Sequence, residues 1–449
     1  MMLYDSEFHI PRDTKATLVS VISPGFEWHK TPEESKRSID ELRELLRTLG
    51  IETGQEFIQL RKTLDPASII GSGKLEEIAE EARKDGSSLL VFDFELSASQ
   101  VRNIREITKL SAVDRVHVIL EIFAKHARTN ESKIQIEIAR LQYVLPRLSG
   151  FWSHLGRQRG GVGVRGGEGE QQIELDRRMI RARIEFFKDQ LETIAKSREV
   201  QKKRRHQKVV TAALVGYTNA GKSSILNRLC REKILEENKL FATLDSTHRT
   251  LNPDTKPPMV LIDTVGFISN LPNTLIEGFK TTLESAMEAD LLVIISDISD
   301  PHFRKHLEVT ENVLKELGVG DKERLIVFNK RDLLKDQLLA KIIKRQYPHS
   351  FVVSSYDPAD MKELRQHIMN YFLEMQDKHD LFIPYTEGPA HAQVAGLTNV
   401  IKRHTHETGI FYRVRVPDFL FDGSGLARFV LAPEDPRLKE VDWESASLY

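Results

Sequence analysis

Gly216, Gly221, Lys222 and Ser223 fill the pattern G-x-x-x-x-G-K-[ST] within the stretch VVTAALVGYTNAGKSS, Val209 to Ser224. The β-prone apolar run before Gly216 and the helix-compatible residues after Gly221 supply the strand, loop and helix order that separates a phosphate cradle from a chance match. Backbone N–H groups of Tyr217, Thr218, Asn219, Ala220, Gly221, Lys222 and Ser223 would wrap an anion at a helix N-terminus, with Ser224 just behind them. Lys222 would reach the β- and γ-oxygens, and the Ser223 hydroxyl would ligate Mg²⁺.

A cradle alone does not choose a nucleotide. Met259 to Asp263 (MVLID) reads as a strand ending in Asp263-Thr264-Val265-Gly266, where Asp263 would reach Mg²⁺ through water. The Gly266 N–H would meet the γ-phosphate at an approach only glycine permits. Leu291 to Ile295 (LLVII) is a second buried strand, and Leu325 to Phe328 (LIVF) runs into Asn329-Lys330-Arg331-Asp332 at a strand end, where α/β proteins place ligand contacts. A carboxylate at Asp332 can accept from N1–H and the exocyclic amine of guanine, whereas adenine presents an acceptor at N1; such a site discriminates by roughly 10⁴. Lys330 would lay its stem over the base, Asn329 would brace the loop, and Ser354-Ser355, after the strand Phe351 to Val353, would offer a backbone donor to guanine O6. GTP and GDP are therefore the expected ligands. The threonine completing the Mg²⁺ shell must lie between Ser223 and Asp263, and Thr243 and Thr247 both fit. Phe267 follows Gly266 where many GTPases carry a water-orienting glutamine, so hydrolysis is expected to be slow and partner-dependent.

These motifs need a scaffold, and 449 residues, 40% hydrophobic and 29% charged, suffice for about three domains with sizeable cores. The net charge of -1 excludes a uniformly basic nucleic-acid binder but not a local patch. No apolar run approaches the roughly 18 residues of a membrane span, and the N-terminus lacks a basic flank before an apolar core. A cytoplasmic protein is expected, with peripheral membrane association left open. Cys230, the single cysteine, reads as a packing thiol and rules out a disulfide or zinc framework.

Strands at Ala16 to Ser23, Glu56 to Arg61 and Ser88 to Asp93 alternate with helices at Thr31 to Leu49 and Leu75 to Lys84 and one begun at Ser97, which predicts an N-terminal α/β domain over residues 1–122. Gly71-Ser72-Gly73-Lys74 imitates a phosphate loop, but Ser68 and Leu75 stand where the first glycine and the hydroxyl belong, so it reads as a turn. Ile134, Ile138, Leu141, Leu145 and Leu148 follow 4-3-4-3 spacing, as do Ile180, Ile184, Phe187, Leu191 and Ile194, which predicts an antiparallel helical hairpin over residues 123–207. Its connection, Gly156 to Gly169 (GRQRGGVGVRGGEG), is half glycine. The segment from Phe151 to Lys208 holds fifteen Lys and Arg against eight Asp and Glu, a local +7. That is the footprint of a polyanion contact, with a solvated helical face as the plainer reading; Arg157, Arg159 and Arg165 are the expected RNA contacts. Gly161, Gly163 and Gly166 also spell G-x-G-x-x-G, but no strand precedes them and Phe186 replaces the acidic ribose ligand. A P-loop GTPase domain, a mixed sheet flanked by helices, is expected over residues 208–373. A small α+β C-terminal domain follows over 374–449, where LFIPYTEG, the helix-like HAQVAGLTNVIKRH and the alternating GIFYRVRVP suggest a βαβ-type unit. His302 and His306 share a helix face without a third ligand and read as surface histidines.

The chain resembles the HflX family of ribosome-associated GTPases, of the translation-factor-related group. Beside the nucleotide motifs, the resemblance is carried by ELSASQVRNI (Glu95 to Ile104), VDRVHVILEIFAKHART (Val113 to Thr129), KIQIEIARLQYVLPRL (Lys133 to Leu148), RQRGGVGVRG (Arg157 to Gly166), QIELDRR (Gln172 to Arg178) and LFATLD (Leu240 to Asp245), and it runs from about Ala16 to Met369. In the family LFATLD is the switch segment; this selects Thr243 over Thr247 and adds Phe241, Ala242, Leu244 and Asp245 to the nucleotide contacts. The resemblance implies a GTP hydrolase that binds the large ribosomal subunit and its RNA and splits stalled or stressed ribosomes. A monomer is expected. One departure is RGGEGE (Arg165 to Glu170), one residue longer than the family's RG-x-GE, so contacts at the tip are expected to shift. Two alternatives stand beside this reading: a ribosome-assembly factor or RNA chaperone with a GTPase timer, and an ATP-using RNA remodeller, which Asp332 disfavours.

Overall fold

In a computed structural model of the chain the described residues are 10, 11, 14–24, 29, 31–148, 167–205, 209–230, 240, 241, 246–253, 255–269, 283, 286–417, 421–441, 443, 447 and 448. They divide into two compact units: Met1–Ala195 with Glu237–Asp245 and Val265–Leu283, and Lys196–Glu236 with Ser246–Thr264 and Glu284–Tyr449.

In the first unit β1 (Lys15–Ile22), β2 (Glu52–Leu60), β3 (Leu89–Phe92) and β4 (Ser111–Asp114) form a parallel sheet in the order β2-β1-β3-β4. Parallel neighbours need crossovers, which α1 (Pro32–Leu49), α2 (Ser72–Lys84) and α3 (Ala98–Thr108) provide. Capping boxes start α1 at Thr31/Glu34 and α3 at Ser97/Gln100. Val19, Val21, Leu90 and Phe92 pack against Ile70, Leu75 and Ile78 to make the core. Beyond the strand ends, buried Asp93 accepts from Ser38 Oγ (2.7 Å) and Ser20 Oγ (3.2 Å) and pairs with His29 Nε2 (2.8 Å) and the fully buried Arg115 (3.3 Å). Arg115 opens α4 (Arg115–His126), which Asp114 caps; the same carboxylate accepts from Tyr143 (2.8 Å) on α5 (Asn130–Val144). A 39-residue helix, α6 (Gly167–Arg205), brings Arg183 to 3.5 Å from Glu137 of α5.

Two expectations change here. Ser72 to Lys74 are not a turn but the first turn of α2, entered from Gly71 at φ 97°. The second long helix begins at Gly167, inside the glycine-rich connection. Arg157, Arg159 and Arg165 lie outside the described residues.

The second unit carries a six-stranded mixed sheet in the order β10-β9-β8-β5-β7-β6, from β5 (Val210–Gly216), β6 (Thr247–Asn252), β7 (Met259–Asp263), β8 (Leu291–Asp297), β9 (Arg324–Asn329) and β10 (Phe351–Val352). Only β6 runs antiparallel to its neighbour. The flanking helices are α7 (Lys222–Cys230), α8 (Phe303–Glu316), α9 (Gln337–Gln346) and α10 (Pro358–Glu374). Leu214, Val293, Ile295 and Val327 of the sheet pack with Ile225 and Leu226 of α7 and Leu364 and Ile368 of α10. The register sets Leu214 beside Asp263, Gly216 beside Ile295, and Asp297 beside Asn329, so the motif-bearing strand ends share one edge.

A second, antiparallel sheet follows in the order β11-β13-β12-β14: β11 (Asp377–Pro384), β12 (Asn399–His406), β13 (Gly409–Val416) and β14 (Ser447–Leu448), with α11 (Gly388–Leu397) between β11 and β12. This α+β arrangement corrects the βαβ-type expectation, because the helix-like HAQVAGLTNVIKRH splits. Thr398 donates its hydroxyl to Val394 O (2.8 Å) as the helix stops, and β-branched Val400 and Ile401 continue as strand. No helix among the described residues is long and apolar enough to cross a membrane.

Candidate functional site

Gly216 leaves β5 at φ 149°, where a Cβ would stand 2.2 Å from the Ile295 carbonyl oxygen. Only a residue without a side chain can turn there. The loop continues through Asn219 (φ 59°) to Gly221 (φ 93°), whose added Cβ would meet Asn329 Nδ2 at 2.3 Å. Tyr217, Thr218 and Ala220 are buried, and Ser224 sits half-buried on α7.

Lys222 is buried beneath this loop, donating from Nζ to the carbonyls of Gly216 (3.2 Å) and Tyr217 (3.0 Å). Burial pulls its pKa down to about 8, while the Asp263 carboxylate pulls the other way. Such an ammonium lacks full compensation for lost water, which an anion in the loop would supply. Beside it Ser223 Oγ donates to Asp263 Oδ2 at 2.6 Å, and Thr264 Oγ1 donates to Leu214 O at 2.7 Å, fixing the end of β7 against β5.

Asn329 ties this loop to the tetrad that follows β9. Its Nδ2 donates to Ala220 O (3.0 Å), and its Oδ1 accepts from the Ser355 N–H (3.1 Å). Asp332 Oδ1 accepts from Ser354 Oγ (2.6 Å), while the Ser354 N–H donates to Asp360 Oδ2 (2.7 Å). Lys330, at φ 63°, places Nζ 2.6 Å from Asp297 Oδ2. Gly216 to Ser224, Asp263, Thr264, Asn329, Lys330, Asp332, Ser354 and Ser355 thus all lie within the second unit.

Phe241, Val265 and Gly266 belong to segments grouped with the first unit. Phe241 is buried edge-on against Phe123 of α4, with ring centroids 4.7 Å apart, and Phe267 after Gly266 is buried too. Ala242, Thr243, Leu244 and Asp245 lie outside the described residues. Two contacts carried no sequence signal. His306 of α8 is not a plain surface histidine: its ring stacks on Tyr217 at 3.9 Å with 9° between planes. Asp297, the partner of Lys330, belongs to no motif read from the sequence.

Three family models match in succession: "GTP-binding GTPase N-terminal" over residues 36–124, "GTP-binding GTPase Middle Region" over 126–205 and "50S ribosome-binding GTPase" over 211–330. The GTPase HflX of Lacrimispora saccharolytica is 39% identical over 87% of this chain and 92% of its own. That of Magnetococcus marinus is 43% identical over 72% and 74%, and that of Escherichia coli 36% identical over 86% and 91%. Among solved structures, a GTP-binding protein from the archaeon Sulfolobus solfataricus in complex with GDP is 24% identical over 80% of this chain and 98% of its own, with a TM-score of 0.42. With the Gly216–Ser223 loop and the Asn329–Asp332 cluster tied together through Asn329, and with curated relatives matching over most of both chains, the chain belongs to the HflX family of GTPases, which hydrolyse GTP to GDP and phosphate.

Proposed function

We propose that this GTPase binds the large ribosomal subunit and dissociates stalled or stressed ribosomes, with GTP hydrolysis driving its own release. The observation that carries the reading is the match of residues 211–330 to a 50S ribosome-binding GTPase. The +7 charge from Phe151 to Lys208 supports it by suiting an RNA surface. In this reading residues 1–122, 123–207, 208–373 and 374–449 are four domains, and the hairpin tip with Arg157, Arg159 and Arg165 meets ribosomal RNA.

At the nucleotide, N–H groups from Tyr217 to Ser223 cradle the phosphates and Lys222 neutralises their β- and γ-oxygens. Ser223 and Thr243 hold Mg²⁺, with Asp263 acting through water. The hydroxyl and carboxylate oxygens already side by side at 2.6 Å are the hard donors such a cation takes. Bound there, the ion would offset charge on the phosphate oxygens. The Gly266 N–H senses the γ-phosphate, Asp332 reads the guanine edge, and Phe267 leaves the attacking water without a side-chain amide at that position.

The test is light scattering of ribosomes after addition of protein and GTP, followed by gradient sedimentation. Scattering should fall and the protein should travel with free large subunits. Replacing the three tip arginines with alanine should weaken pelleting with large subunits, flatten its salt dependence and leave GTP affinity unchanged. Binding to subunits while intact ribosomes persist would favour the assembly-factor reading instead.

A further inference from the structure

Asp297 ends β8 directly beside Asn329 in the β8–β9 register, and the next N–H, of Ile298, donates to Asn329 O at 3.0 Å. Both of its carboxylate oxygens are committed. Oδ1 accepts from the N–H (2.9 Å) and the Oγ (2.6 Å) of Ser299, while Oδ2 pairs with Lys330 Nζ at 2.6 Å. The carboxylate plane is therefore fixed from one side before it meets the lysine, and the two side chains keep only 18% and 21% of their exposure.

Lys330 itself sits at φ 63°, in the left-handed region that residues with a Cβ seldom occupy. The chain is held there by the Arg331 N–H donating to Val353 O at 3.0 Å. A free lysine stem samples many rotamers, and ordering it costs affinity whenever a ligand needs it in one place. Here the far end of the stem is already anchored.

We propose that Asp297 is a positioning residue for nucleotide binding: clamped by Ser299, it holds the Lys330 ammonium so that the lysine stem forms a pre-set apolar floor for the guanine ring. The inference rests on the reading of Asn329 to Asp332 as the base-recognition loop. Its consequence is separable from base choice. A floor contacts any purine face, so Asp297 governs how tightly guanine and inosine nucleotides bind and leaves their ratio alone, whereas Asp332 governs the ratio.

The experiment is calorimetric titration of the full chain with GDP and IDP for wild type, Asp297→Asn, Lys330→Met, the double variant and Ser299→Ala. Each of the first two should weaken GDP about tenfold, and the double variant should stay within about twofold of the weaker single, because one interaction has been removed once. Ser299→Ala, which leaves the ion pair's partners in place, should weaken GDP about threefold. The GDP-to-IDP ratio should be unchanged in all of them. An additive, roughly hundredfold loss in the double variant, or a lower Tm for Asp297→Asn with unaltered affinity, would reduce Asp297 to a structural role and overturn the proposal. If instead Asp332→Asn leaves the GDP-to-IDP ratio untouched, the base-loop reading fails, a result distinct from the outcome of the Asp297–Lys330 cycle.

Discussion

Replacing Gly221 with alanine strikes the Gly216–Ser223 loop and the Asn329–Asp332 loop together. The residue sits at φ 93°, where a Cβ costs about 1–2 kcal/mol. That Cβ would also stand 2.3 Å from Asn329 Nδ2, displacing the amide from Ala220 O and loosening its hold on the Ser355 N–H. Each of these buried hydrogen bonds is worth about 1 kcal/mol, so the total is about 3–4 kcal/mol. The nucleotide-free loop can relax by opening, but binding must close it again, so most of the loss should fall on affinity: roughly 10²- to 10³-fold for GDP and GTP alike. Gly318→Ala is the control. Its φ of 76° imposes the same kind of backbone strain, but nothing lies within 4 Å of the added Cβ. It should cost about 1 kcal/mol of stability and leave the Kd unchanged. Calorimetric titration with GDP, paired with urea unfolding, separates the two effects. Gly221→Ala binding GDP within threefold of wild type would refute the idea that the two loops share one wall.

Asp332→Asn reverses a donor–acceptor pattern at one edge of the base, so calorimetry should show GTP weakened and XTP strengthened, by up to roughly 10⁴ in their ratio. Ser223→Ala and Thr243→Ala should each lower Mg²⁺-dependent phosphate release by at least about tenfold, whereas Phe267→Ala should keep nucleotide binding in the same titrations. Equal GTP and ATP affinity at the intact site would refute the guanine reading.

The Gly216–Ser223 loop was legible because its pattern is local: Gly216, Lys222 and Ser223 are spaced along one strand-to-helix turn, and β5 announces itself by the apolar run Ala212 to Val215. The Asn329 tetrad was legible for the same reason, sitting at the end of a buried strand. What escaped is non-local or weakly patterned. Asp297 meets Lys330 only because β8 and β9 are in register, and His306 meets Tyr217 only because α8 packs beside the loop. The edge strand β6, Thr247–Asn252 (THRTLN), carries one apolar residue, Leu251, and so shows no apolar–polar alternation to read. Gly167 belongs to α6 against its intrinsic propensity, which no local rule foresees. The segment HAQVAGLTNVIKRH holds a helix and a strand that divide at Thr398, a boundary marked by one side-chain hydrogen bond rather than by glycine or proline.

GTP turnover measured with and without purified large ribosomal subunits bears most directly on a switch that its partner activates. Phosphate release by the protein alone should be slow, and subunits should raise it at least about tenfold by holding the attacking water that Phe267 leaves without a side-chain amide. Identical rates in the two conditions would contradict a ribosome-activated GTPase.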